Sequence, residues 1–114
     1  MSQDIVQFET QGRIAIVTLN RPQQRNALSI EMRAELARQL DRVDDSISVV
    51  VIRASGAAFC AGADLGDVPD NPMGWRDRIL TAQAHHLRLV NMKQIVIASV
   101  QGAAFGGGAS LALA

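Results

Sequence analysis

Ile95-Val96-Ile97-Ala98-Ser99-Val100-Gln101-Gly102-Ala103-Ala104-Phe105-Gly106-Gly107-Gly108-Ala109-Ser110 is the stretch that decides the fold. Its β-branched opening reads as a strand, its glycines as a turn, and Ala109 to Ala114 as the start of a helix. Consecutive glycines permit positive φ and leave backbone N–H groups approachable. At a helix start those N–H groups lack intrahelical partners and carry positive dipole character. Such a junction suits an anion, or an oxygen that becomes anionic during a reaction. The same order recurs upstream. Ser48-Val49-Val50-Val51-Ile52-Arg53 reads as a buried strand, Ala54 to Phe59 as a small-residue loop, and Cys60-Ala61-Gly62-Ala63-Asp64-Leu65 as the approach to a helix. If the two strands are parallel neighbours, both loops leave the sheet at one edge, and two peptide donors can converge on one oxygen.

The rest of the chain supports an α/β domain. It has 114 residues, 48% of them apolar, enough for one domain with a core. Eleven basic and eleven acidic residues balance to zero, which points away from nucleic acid and from a membrane surface. No apolar run is long enough to span a bilayer, and Met1-Ser2-Gln3-Asp4 does not open a signal peptide. The single cysteine, Cys60, cannot form an internal disulfide and fits a reducing compartment, so a cytoplasmic protein is expected.

In chain order, Ile5 to Phe8 and Arg13 to Leu19 read as a hairpin turning at Gln11-Gly12, and residues 20–26 as a polar loop. Ser29 is a candidate N-cap, followed by an apolar stripe of Met32, Leu36, Leu40 and Val43 on a helix ending near Asp44. Residues 48–53 then complete a β-α-β unit. A turn-rich segment at 66–72 precedes a helix expected over 75–91, with Ile79, Leu80, Ala84, Leu87 and Val90 facing inward. Residues 95–100 form the third core strand and close a second βαβ unit. The helix after Gly108 has no C-cap and no covering layer, so the domain is expected to be incomplete or to need a further chain.

Single motifs have ordinary readings too. The glycine triplet can be a packing turn; it matches neither G-x-G-x-x-G directly after a strand nor a P-loop. Gly108-Ala109-Ser110-Leu111-Ala112 imitates a hydrolase nucleophile elbow, but no downstream Asp or His supplies a triad. Cys60 fits a small buried apolar residue better than a nucleophile. Adjacent His85 and His86 point about 100° apart, which excludes an i, i+4 metal pair and suggests a partly exposed surface pair. Asp64 reads as a helix-start carboxylate, and no metal site is expected.

Taken together, Leu19-Asn20-Arg21-Pro22 with Asn26-Ala27-Leu28-Ser29, Phe59 to Leu65, and Gly102 to Leu113 resemble the crotonase (enoyl-CoA hydratase/isomerase) family, over the N-terminal part of its domain. The resemblance implies a ββα spiral core, with residues 1–114 as its N-terminal, incomplete portion. It implies an acyl-CoA thioester ligand, coenzyme A arriving as part of the substrate, no permanent cofactor, and assembly as a trimer or dimer of trimers. It maps an oxyanion hole onto the backbone N–H groups of Ala63 and Gly107, where a thioester enolate gains charge. The adenine is expected near Ala27 and Ala61, a phosphate contact at Arg25, and the pantetheine path beside Leu65 and Gly66, with Asp64 also among the coenzyme-binding residues.

Ser110 departs from the hydratase pattern, which places a glutamate there; the second hydratase glutamate lies beyond Ala114. The resemblance therefore points to isomerase-like rather than hydratase chemistry, with a general base not identified within these residues. A catalytically silent acyl-CoA-binding or scaffold subunit is the alternative, and a serine hydrolase using Ser110 the third reading. The acyl group and the step after enolate formation are not legible.

Overall fold

The computed structural model describes residues 4–62, 70–104 and 108. Four strands form one sheet in the order β1 (Val6–Gln11), β2 (Ile14–Leu19), β3 (Val49–Ala54) and β4 (Ile95–Ala98). β1 and β2 are the expected antiparallel hairpin, turning at Gly12 with φ 58°. β2 runs parallel to β3, and β3 parallel to β4, so the two strands whose loops matter are parallel neighbours.

Helix α1 (Ile30–Leu40) begins as its sequence dictates: Ser29 is extended and its hydroxyl accepts from the Met32 N–H at 3.0 Å. Met32, Leu36 and Leu40 are buried against Val6, Ala15, Val17, Leu19, Val50 and Ile52. Each such side chain contributes about 2 kcal/mol of burial energy. The helix stops at Leu40, earlier than expected, and Val43 packs on the core from the following turn.

Helix α2 (Pro72–Asn91) is capped by Asn71, whose side chain accepts from the Gly74 N–H at 2.7 Å. Its orientation corrects the expectation from periodicity. Ile79, Leu80, Ala84, Leu87 and Val90 are exposed, and Leu89 is the helix's buried residue. The apolar stripe is real, but the contacts holding α2 to α1 lie on another face. Arg88 donates to the Ala37 carbonyl at 3.4 Å and to the Asp41 carboxylate at 2.7 Å. Periodicity shows that a stripe exists but not which neighbour covers it. β4 is likewise less buried than a core strand: Ile95 and Ile97 are exposed while Val96 and Ala98 pack on the core.

Candidate functional site

β3 and β4 end at the same sheet edge, and their loops are joined there. The N–H groups of Phe59 and Cys60 donate to the Ala103 carbonyl at 3.0 and 3.3 Å, and Cys60 pairs with Ala104 as a parallel bridge. Gln101 reaches back, its side-chain amide donating to the carbonyls of Ala54 at 2.6 Å and Gly56 at 3.1 Å. Two glycines allow the approach. A Cβ at Gly102, where φ is +64°, would overlap the Ala57 carbonyl oxygen. A Cβ at Gly108 would overlap the Cys60 carbonyl oxygen and lie 2.7 Å from its carbon. No side chain fits at either contact.

A third loop is fastened to these two. Pro22–Gln24 forms one 3-10 turn where a plain loop was expected, and Arg25 and Asn26 follow with φ of 52° and 54°. Asn26 is completely buried and its side chain is satisfied three times. Oδ1 accepts from the Arg21 N–H at 2.7 Å, and Nδ2 donates to the carbonyls of Ser55 at 2.9 Å and Ala58 at 3.0 Å. The Ala61 N–H donates to the Arg25 carbonyl at 2.9 Å, and the Leu28 N–H to the Gly62 carbonyl at 2.6 Å. Ala27 and Ala61, the two expected adenine neighbours, therefore lie on segments stitched side by side. Arg25 is exposed at their rim.

Cys60 is structural, as its neighbours suggested. It is buried, and its thiol donates to the Asn26 carbonyl at 3.1 Å. Burial pushes its pKa up, with the Gly62 backbone and the Arg33 charge acting in the opposite direction. A thiol held protonated is a poor nucleophile. His85 and His86 are both half-buried, and burial followed by the positive charge of Arg33 lowers both pKa values. Among the described residues no group of three or more His, Cys, Asp and Glu side chains could hold a metal.

Ala63, Asp64, Leu65, Gly66, Gly107 and Ser110 lie outside the described residues. Sequence reasoning gave no separate role to Asn26, Gln101 or Arg33. Asn26 stood within a quoted motif, in a polar loop before a cap, which is a usable signal. Gln101 and Arg33 carried none.

The architecture defines a class: an α/β domain that gathers main-chain loops over the C-terminal edge of parallel strands, where α/β proteins hold ligands. Residues 9–114 match the sequence profile of the enoyl-CoA hydratase/isomerase family, and the chain belongs to that family. A probable enoyl-CoA hydratase of Rhodobacter capsulatus is 36% identical over 115 residues, covering 100% of this chain and 45% of that protein. The 1,2-epoxyphenylacetyl-CoA isomerase of Escherichia coli is 37% identical over 107 residues, covering 88% of this chain and 41% of that one. The crystal structure of an enoyl-CoA hydratase/isomerase from Xanthobacter autotrophicus Py2 superposes with a TM-score of 0.89 at 29% identity, over 96% of this chain and 43% of that chain. The chain thus spans less than half the length of the relatives it matches. Among the described residues no helix is long and apolar enough to cross a membrane.

Proposed function

We propose that this chain contributes the coenzyme-binding and oxyanion-stabilising part of an acyl-CoA enzyme of the enoyl-CoA hydratase/isomerase type. The observation that carries the reading is the junction of the two strand-to-helix loops through Ala103, Ala104 and Gly108. It brings the segments leading to Ala63 and Gly107 together, as a two-donor hole requires. Main-chain donors there stabilise the thioester oxygen as the α-proton leaves, each typically worth about 3 kcal/mol. The coenzyme lies along Arg25, Ala27, Ala61, Asp64, Leu65 and Gly66 and comes and goes with the substrate.

Ser110 argues for isomerase-like over hydratase chemistry. A hydroxyl without an activating partner is no general base near neutral pH, so it positions water or substrate at most. The exposed apolar residues of α2 and β4 support association with further chain, as a trimer or dimer of trimers.

The test is an assay of the longest available form of the protein with crotonyl-CoA and with a 3-enoyl-CoA. Double-bond migration with hydration well below about 10 per second is expected. Efficient hydration overturns the branch assignment. Binding of both thioesters without turnover of either identifies the silent binding subunit instead, and fluorophosphonate labelling at Ser110 would revive the hydrolase.

A further inference from the structure

The pairing between β3 and β4 does not run into their loops unchanged. The ladder ends where the Ser99 N–H donates to the Ile52 carbonyl at 2.8 Å. It resumes at the Ala103 carbonyl and the Cys60–Ala104 bridge, in a different register. Ile52 stands against Ala98 and Cys60 against Ala104, so eight steps on the β3 side match six on the β4 side. Two residues on the β3 side are in excess and loop out of the pairing. Carried on unchanged, the strand register would set Ala58 rather than Cys60 against Ala104.

Side-chain amides hold this excess in place. The carbonyls of Ser55 and Ala58 accept from Asn26 Nδ2, and those of Ala54 and Gly56 from Gln101 Nε2, at 2.6 and 3.1 Å. Among the described residues no main-chain hydrogen bond joins 53–58 to 100–102. Gln101 lies midway between Ala98 and Ala104, on the β4 loop itself, and ties the two loops across that gap. Its neighbour Gly102 then passes against the Ala57 carbonyl. An amide nitrogen carries two hydrogens, and Gln101 gives both to the facing loop.

Ala63 and Gly107, the mapped oxyanion donors, each stand three residues beyond the Cys60–Ala104 pair. A return to the strand register moves one loop past the other by two residues, about 7 Å. A hydrogen bond tolerates only about half an ångström. We propose that Gln101 is a positioning residue for the oxyanion hole. By locking the two-residue excess, it fixes the register in which both loops present their N–H groups to the thioester oxygen. This rests on the acyl-CoA reading above.

The test uses the longest available form of the protein, with Gln101→Ala and with Gln101→Met, which fills the space without a donor. Difference infrared spectroscopy at saturation reads the carbonyl stretch of crotonyl-CoA labelled with carbon-13 at the thioester. Affinity, and the kcat and KM of double-bond migration with a 3-enoyl-CoA, are measured beside it. The stretch is expected below its value in water for the unsubstituted protein, and at least halfway back to that value in both variants. A kcat lower by about 100-fold or more is expected with it, as for a lost oxyanion donor, while affinity stays within about threefold. A merely structural role would not move the stretch of the ligand bound to folded protein. An unchanged stretch in the variants, or a loss confined to affinity and KM, overturns the proposal. If the unsubstituted protein binds no thioester, or binds it unshifted, the acyl-CoA reading fails and amide hydrogen exchange decides the register role alone. Exchange of the Phe59 and Cys60 N–H groups faster by about tenfold or more in both variants then supports it, and unchanged exchange overturns it.

Discussion

Replacing Asn26 by alanine tests whether this loop is the keystone of the three-loop edge. The substitution removes an acceptor for the Arg21 N–H and two donors, to the Ser55 and Ala58 carbonyls. At about 1 kcal/mol per buried hydrogen bond, that is about 3 kcal/mol. Asn26 also has φ of 54°, a conformation that asparagine tolerates better than alanine and that adds about 1 kcal/mol. The expected cost is therefore about 4 kcal/mol, a large share of a small domain's stability. Urea unfolding at matched protein concentration measures it, since association adds to apparent stability. Asn26→Asp keeps the acceptor for Arg21 but sets a carboxylate against two carbonyl oxygens. Its deficit is expected to match alanine's at neutral pH and to shrink on acidification, because burial raises the carboxyl pKa in the folded state and the protonated form is favoured there. A loss below about 1.5 kcal/mol for Asn26→Ala, or an aspartate deficit that grows on acidification, refutes the reasoning.

Gly108→Ala is expected to cost about 1–3 kcal/mol, because the new methyl must displace the Cys60 backbone; urea unfolding at matched protein concentration checks it. Arg33→Met is expected to stabilise the chain by removing a buried guanidinium whose Nε has no hydrogen-bond partner, seen as a higher melting midpoint; a lower midpoint contradicts the reasoning. His85, depressed by burial and then by Arg33, His86 and Arg88, binds fewer protons folded than unfolded. Stability at this site is therefore present above the ordinary histidine pKa and falls as pH drops through it. Melting from about pH 7.5 to about pH 5.5 is expected to show this, with a flatter profile in His85→Asn. Exposed Ile79, Leu80, Leu87, Val90, Ile95 and Ile97 predict association of the isolated chain, which sedimentation reads directly; a monodisperse monomer with a cooperative melt contradicts it.

Local chemistry alone determined the hairpin at Gly12, the Ser29 cap and the three parallel-strand segments, while the sequence left it conditional that β3 and β4 are parallel neighbours, which the sheet decided. Each depends on nearest neighbours: φ freedom at glycine, a hydroxyl three residues before an N–H, β-branching in a short run. The family was legible for the same reason, since its three blocks are local motifs in a fixed order. The inward face of α2 was not legible, because a sequence shows an apolar stripe but not what meets it. Only the packing against α1 turned Leu89 inward and left Ile79 and Val90 exposed. Nor could the chain alone distinguish Asn26 and Arg33 from solvated loop and helix residues. Burial and partners decide those roles: three carbonyl and N–H groups close around Asn26, while Arg33 is buried on α1 with no ion pair among the described residues. Long-range contacts set the dielectric and the neighbours of a polar group, and those determine what it does.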